Sequence, residues 1–230
     1  DELLQKKLMR NGFWMYFFAF LIAPTWYLIK IMIAGTLSVE QIGLFYSVLW
    51  IISILAAYND LGLTEALQYY LPHYLIDKKY NESKSIFVYT LILQLVSGVL
   101  IGSWLFFGAE WLSIHYFKNI STLPLLEFFS LYFILLNISQ ALNSFFIATQ
   151  QVKRSQGLEA IRMRTVVVGT WALLVWWYLS LTTFTLLWIW GVIVACLIWF
   201  LGLHKLFGWL FTQWKILWDK ELFDKQRKYG

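Results

Sequence analysis

The best candidates for chemistry in this chain are a few charged and amide side chains that lie inside long apolar runs. Lys30 and Asp60 are each embedded in such a run. A charge at the centre of a bilayer costs about 2.5 kcal/mol or more, so such groups usually face a water-filled cavity or a polar partner. We therefore expect Asp60 to lie in the protein interior, where it serves either structural pairing or the coupling of an ion or a proton.

Lys30 has two interpretations, which the sequence leaves open. It lies near the end of its apolar run, less than two helical turns after Pro24. Its long aliphatic stem would let the ammonium group reach the membrane interface. Alternatively, the ammonium group faces an internal aqueous cavity.

A polar stripe occupies one face of a later apolar run. Asn137, Gln140, Asn143 and Ser144 recur at spacings that place them on the same side of a helix. A polar stripe on a lipid-embedded helix faces protein or water. We expect this helix either to line a cavity or to hydrogen-bond to a neighbouring helix.

No pattern typical of an enzyme or a metal site accompanies these groups. His73, His115 and His204 fall near the ends of apolar runs on differing sides, and Cys196 is the sole cysteine. The sequence shows neither a phosphate-binding glycine loop nor a nucleophile motif. We expect no catalytic activity, no metal ion and no cofactor.

The elements that hold these residues are apolar runs of membrane-spanning length. Hydrophobic residues make up 60% of the chain and charged residues 13%, against about 25% charged residues in a soluble protein. A run of about 20 apolar residues crosses the bilayer core as a helix. The sequence predicts an all-α, polytopic membrane protein whose residues 1–203 form six spans, over 13–34, 42–71, 86–107, 123–149, 165–180 and 185–203.

The basic residues predict how these spans are oriented. With six spans, all of the 18 Lys and Arg residues except Lys30 and Lys118 fall on one side. Basic loops face the cytoplasm, so the sequence predicts a multi-pass protein of the cytoplasmic (inner) membrane with both termini cytoplasmic. The net charge of +5 reflects these loops and their contact with anionic lipid headgroups, and we expect no nucleic-acid partner.

Residues 204–230 differ from the rest of the chain. Trp209, Trp214 and Trp218 recur among Lys and Asp residues. This pattern is typical of an amphipathic helix in the headgroup layer or of aromatic anchors at the end of a span. The segment is predicted to be a cytoplasmic tail or a linker to a second lobe.

Three short motifs resemble those of one transporter family. LSVEQIGLF (37–45) is similar to an L-S/T-x-E-x-[YF]-G turn, with Ile42 where an aromatic residue is commoner, and NDLGLTEALQYYLP (59–72) is similar to a D-x-G-hydrophobic stretch. FIATQQ (146–151) before a basic loop continues the pattern. In this order the motifs resemble the polysaccharide (O-antigen type) flippases of the multidrug/oligosaccharidyl-lipid/polysaccharide exporter superfamily.

The resemblance implies that the protein flips a lipid-linked oligosaccharide or polysaccharide precursor across the membrane by alternating access. Such proteins place two six-helix lobes around a cavity whose basic groups hold the substrate headgroup. By position, Lys30 is the best candidate for this contact, with Asp60 close by and with the stripe residues Asn137, Gln140 and Asn143. The chain corresponds to the first lobe, so the implied partners are the lipid-linked oligosaccharide, membrane lipids and a second lobe, second copy or partner subunit.

Two alternative functions stay open. A drug/ion antiporter of the same superfamily would tend to carry more carboxylates deep in the lobe than Asp60 alone. A non-transporting membrane scaffold or assembly subunit, with the Trp-rich tail as its docking element, is favoured if Lys30 and the polar stripe are dry.

Overall fold

The computed structural model describes residues 2–60, 62–206 and 208, and for residues 2–8 and 203–206 it describes the backbone alone. The predicted tail with Trp209, Trp214 and Trp218 lies outside the described residues. The described part is helical, without β-strands. Its helices are α1 (Glu2–Ala34), α2 (Val39–Asn59), α3 (Leu63–Ile76), α4 (Tyr80–Phe107), α5 (Ala109–Trp111), α6 (Leu123–Ala148), α7 (Val152–Val175) and α8 (Leu181–Leu206), with a π-helical turn at Leu112–Tyr116 and a 3-10 turn at Ile120–Thr122.

Five of the described helical segments are long and apolar enough to cross a membrane. They are Met9–Ala34, Val39–Asn59, Tyr80–Phe107, Ile120–Ala148 and Leu181–Gly202. The all-α prediction is confirmed, and α1 continues through Pro24 without interruption.

The fifth predicted span, 165–180, belongs to a helix with different limits. This helix, α7, begins at Val152 and ends at Val175. Its first half carries charged residues and its second half is apolar. The sequence indicates a charged loop where the structure has several turns of helix, because a hydropathy pattern counts a charge without regard to the face on which it lies.

The second apolar run is two helices, although the sequence predicts a single span over 42–71. Helix α2 ends at Asn59, and α3 begins after Gly62, which has a left-handed backbone conformation with φ 72°. Glycine adopts this conformation without steric cost. The carboxylate of Asp60 accepts hydrogen bonds from the backbone N–H and the hydroxyl of Thr64, at 3.4 and 2.7 Å, and so caps the first turn of α3.

Two contacts, one towards each end of the bundle, show which helix segments are neighbours. The ammonium group of Lys153, at the start of α7, lies 4.3 Å from the ring centre of Trp14 in α1. Asn119 Nδ2, before α6, donates to Glu40 Oε1 at the start of α2, at 2.8 Å. We call the end of the bundle with Trp14 and Lys153 the basic end, and its cytoplasmic location stays a prediction.

The core of the bundle is built around α6, which packs against α2, α3, α4, α7 and α8. Buried aromatic rings join three of these helices: Phe45 of α2 lies 4.8 Å from Phe184 of α8 and 5.4 Å from Phe129 of α6, between ring centres. Helix α1 packs mainly along α7 and is largely exposed. The interior is therefore organised by one central helix.

Two glycines allow α4 to approach α6 closely. A Cβ atom at Gly98 would lie 3.3 Å from Asn137 Nδ2, and one at Gly102 would lie 2.9 Å from Ile134 Cγ1 and 3.1 Å from the Ser130 carbonyl oxygen. Small residues spaced four apart bring membrane helices into backbone contact. The position of α4 against α6 thus depends on the absence of side chains here.

We expect Gly102→Ala to destabilise the bundle, because the new methyl group must displace Ile134 or the α6 backbone. Overpacking of this kind costs about 1–3 kcal/mol and should lower the midpoint of thermal unfolding in detergent. The matched control is Gly43→Ala, since a Cβ atom there meets nothing within 4 Å. Equal midpoints for the two variants would contradict the close α4–α6 packing.

Candidate functional site

A buried amide pair joins the end of α2 to α6. Asn59 Nδ2 donates to Asn137 Oδ1 at 2.6 Å, and Asn137 Nδ2 donates to the Phe133 carbonyl oxygen at 2.8 Å. Both asparagines are buried. Asn137 is therefore engaged in a dry helix contact.

Asp60 is tied to a different helix. Gln94 of α4, which is fully buried, donates from Nε2 to Asp60 Oδ1. Within the described residues, Gln94 Oε1 has no hydrogen-bond partner, and no basic side chain forms an ion pair with Asp60. The carboxylate is thus held by hydrogen bonds, and no cation from the described part of the chain neutralises it.

Helix α3 is fixed to α6 by a third set of hydrogen bonds. Ser144 Oγ donates to the Thr64 carbonyl oxygen at 2.9 Å, and Gln68 Nε2 donates to Ser144 Oγ at 3.0 Å. These bonds satisfy backbone and amide groups of the first turns of α3. The break between α2 and α3 is consequently held by α4 on one side and by α6 on the other.

A polar cavity of about 250 Å³ opens beside this break. Amides, hydroxyls and carboxylates form most of its wall, which consists of Ala56, Ala57, Asp60, Thr64, Glu65, Gln68, Gln140, Asn143 and Ser144. The Thr64 hydroxyl lies 2.7 Å from Asp60 Oδ2 and 3.3 Å from Glu65 Oε2. We call this space the acidic cavity.

A second cavity of about 280 Å³ adjoins the first, and we call it the arginine cavity. It lies between α6 and α7 and is lined by Leu136, Ser139, Gln140, Asn143, Ser155, Gln156, Leu158, Glu159 and Arg162. Gln140 and Asn143 line both cavities. Asn143 Oδ1 accepts a hydrogen bond from Ser155 Oγ at 2.6 Å, while the buried Gln140 Oε1 has no partner among the described residues.

Arg162 is the functional candidate that sequence reasoning missed. Its side chain is only 13% exposed, and its guanidinium lies 2.6 Å from Glu159 Oε1, 3.2 Å from the Tyr132 hydroxyl and 5.9 Å from the ring centre of Trp188. Arg162 Nε has no partner in the described part of the chain. The sequence predicts a loop arginine, although the i,i+3 spacing of Glu159 and Arg162 was a usable signal for a helix with a buried ion pair.

The structure separates Lys30 from the other predicted site residues. Lys30 is exposed and its ammonium nitrogen lies 5.7 Å from the ring centre of Tyr46 in α2. Tyr46 and Asp60 are 14 residues apart, or roughly 20 Å along a helix. Asp60, Gln140 and Asn143 thus share one region, Asn137 lies beside it in a dry contact, and Lys30 lies towards the other end of the bundle.

The fold is that of one half of a transporter of the MATE class. A solved multidrug resistance MATE family transporter of the MOP superfamily, in an outward-facing conformation, matches 96% of this chain with a TM-score of 0.73 and 13% sequence identity. The chain covers 50% of that transporter. The predicted likeness to one lobe of a two-lobe exporter is confirmed at the level of the fold.

Sequence comparison gives a shorter match. A membrane protein of Methanocaldococcus jannaschii, described as uncharacterized, is 30% identical over 115 residues, which are 50% of this chain and 23% of that protein. No protein-family model matches the sequence. Together with the apolar helices, these similarities identify a multi-pass membrane protein, while the O-antigen flippase family stays a prediction.

The Asn59–Asn137 pair should be energetically coupled. We expect Asn137→Leu to cost about 1–3 kcal/mol, since the Asn59 amide loses its buried partner. The double variant Asn59→Leu/Asn137→Leu should lose less than the sum of the two single variants. Strictly additive losses, measured by unfolding in detergent, would show that the pair does not hold the helix break.

Water should reach Gln140 and Asn143 but not Asn137. In a Cys196→Ala background, we expect cysteines at positions 140 and 143 to react with a membrane-impermeant thiol reagent and a cysteine at 137 to stay unlabelled. Permeabilised membranes control for access from both sides. Lack of labelling at all three positions would favour the scaffold alternative.

Proposed function

We propose that this chain is one lobe of a transporter that flips a lipid-linked oligosaccharide or polysaccharide precursor across the cytoplasmic membrane by alternating access. The fold of half a MATE transporter supports the transport part of this proposal. The cytoplasmic location of the basic end is part of the proposal, as is the second lobe, second copy or partner subunit that would complete the central cavity.

The observation that carries the substrate class is the chemistry of the two adjoining cavities. Their shared wall presents the amides of Gln140 and Asn143, and the acidic cavity adds Gln68, Ser144 and Thr64. Amides and hydroxyls both donate and accept hydrogen bonds, which is also how sugar hydroxyls behave. An apolar drug could form no hydrogen bonds with this wall, whereas a hydroxylated headgroup could.

The charged groups of the cavities extend this argument. Asp60 and Glu65 can accept hydrogen bonds from sugar hydroxyls, and Arg162 adds a positive charge to the wall of the arginine cavity. The sugar headgroup would occupy the polar cavities while its lipid chain stays in the bilayer. Lys30 lies towards the opposite end of the bundle, so the headgroup would reach Lys30 only after the headgroup had moved along the lobe.

Reconstitution of the full-length protein tests the proposal. We expect proteoliposomes to move a fluorescent lipid-linked oligosaccharide between leaflets. Gln140→Leu and Asn143→Leu should each slow this movement at least about tenfold, because each removes an amide that pairs with the sugar. A lost hydrogen bond costs about 0.5–1.5 kcal/mol, and more when its partner is left unpaired.

Ser53→Ala is the control, since Ser53 is exposed on α2, lines neither polar cavity and donates its hydroxyl to the Leu49 carbonyl oxygen of its own helix. Unfolding midpoints of all variants separate transport defects from misfolding. Full activity of both cavity variants would exclude the cavities as the headgroup site.

A drug/ion antiporter is the second candidate, and one observation favours it. Asp60 and Glu65 line the same cavity on either side of the Thr64 hydroxyl, and neither forms an ion pair with a described basic side chain. Uncompensated carboxylates at membrane depth are typical of cation and proton pathways. The solved neighbour, described as a multidrug resistance transporter, is consistent with this alternative.

The two candidates predict different effects of Asp60→Asn. For an antiporter, we expect Asp60→Asn to abolish the efflux of a lipophilic cation that a proton or sodium gradient drives. Neither the unaltered protein nor the variant should then move the sugar-lipid between leaflets. For the flippase, sugar-lipid movement should persist at a reduced rate without an imposed gradient. Thermal unfolding of Asp60→Asn controls for loss of the Gln94 and Thr64 hydrogen bonds.

A further inference from the structure

A long apolar groove runs between α7 and α8, away from the polar cavities. Its volume is about 1060 Å³, and its walls are almost entirely apolar. Val168 and Trp190 are strongly exposed in it, at 64% and 56%. An exposed apolar groove of this size on a membrane helix pair must be filled by lipid chains or by protein.

The floor of the groove is the line of contact between the two helices. A Cβ atom at Gly169 would lie 2.3 Å from Leu187 Cδ1, so α7 and α8 approach each other there because residue 169 has no side chain. The floor of the groove is therefore formed by the close packing of α7 against α8 at Gly169.

The length of the groove matches one leaflet of a bilayer. Its α7 wall runs from Arg164 to Leu173, ten residues whose helical rise is roughly 14 Å. The hydrocarbon core of a membrane is about 30 Å thick, so the groove extends over about half of it. An acyl chain from one leaflet would be accommodated along its length.

Arg164 is the cation among the described residues that line the groove. Arg164 lines the groove at the end of α7 that lies towards Lys153 and the basic end of the bundle. It is exposed, and no acidic side chain forms an ion pair with it among residues whose side chains are described. Arg162, two residues earlier, points inward to Glu159, so the helix directs one arginine into the protein and the next towards lipid.

We propose that this groove binds a phospholipid with an anionic headgroup. One acyl chain lies along Val168, Ala172 and Leu186, and the Arg164 guanidinium holds the headgroup phosphate. Arginine matches phosphate oxygens with two parallel hydrogen bonds. The inference does not rest on the proposed transport function, because neither Arg164 nor the groove belongs to the polar cavities.

Lipid titration followed by native mass spectrometry of the detergent-solubilised full-length protein tests this site. We expect phosphatidylglycerol to bind in preference to phosphatidylcholine of the same chain length. Arg164→Gln should weaken phosphatidylglycerol binding about fivefold, the effect of one basic residue near an anionic membrane surface. Arg10→Gln removes an equal charge from an exposed residue at the basic end that does not line the groove, and it should leave binding unchanged.

A second variant tests the groove itself. Val168→Trp fills the groove from an exposed position, so the fold should persist, and binding of both phospholipids should fall. Unchanged phosphatidylglycerol binding in Arg164→Gln, or an equal loss in Arg10→Gln, would overturn the site. A change of oligomeric state in Val168→Trp, with lipid binding intact, would show that protein covers the groove and would equally overturn it.

Discussion

The structure depends on one constraint, which is that polar groups inside a membrane must find partners within the protein. The break between α2 and α3 interrupts the backbone hydrogen bonds of an apolar segment. Ser144 of α6 donates to the Thr64 carbonyl oxygen and the Asp60 carboxylate accepts from the Thr64 N–H, while Asn137 of α6 and Gln94 of α4 bond to the side chains of Asn59 and Asp60. The central position of α6 follows, because this helix supplies partners to α3 and α7 as well as to α2. The polar cavities form where these partners leave space.

The half-buried charges Arg162 and Asp60 meet the same constraint in two different ways. Arg162 is compensated by Glu159, Tyr132 and the Trp188 ring, whereas the donors to Asp60 among the described residues are neutral. Breaking a buried ion pair is strongly destabilising because it leaves the other charge alone. Arg162 therefore forms a fixed part of the wall of the arginine cavity, while the acidic cavity is lined by carboxylates that form no ion pair with a described residue.

Composition and periodicity predicted the helical class and the polar stripe, because both depend on local sequence. The stripe's division into a dry residue, Asn137, and cavity residues, Gln140 and Asn143, could not be predicted, since it depends on where Asn59 and Ser155 lie. The break at Gly62 was hidden by the apolar residues on either side. Arg162 was misplaced because a charged helical turn at a membrane boundary resembles a loop, and the distance from Lys30 to Asp60 required the helix packing.

The shared wall of the two cavities has a thermodynamic consequence. Gln140 and Asn143 border both spaces, and an amide turned towards one occupant is withdrawn from the other. If an occupant of the acidic cavity draws one of these amides towards itself, it would change affinity in the arginine cavity, and by reciprocity an occupant there would change affinity in the acidic cavity by the same factor. The two shared side chains are thus the route by which a ligand in one small cavity would be felt in the other.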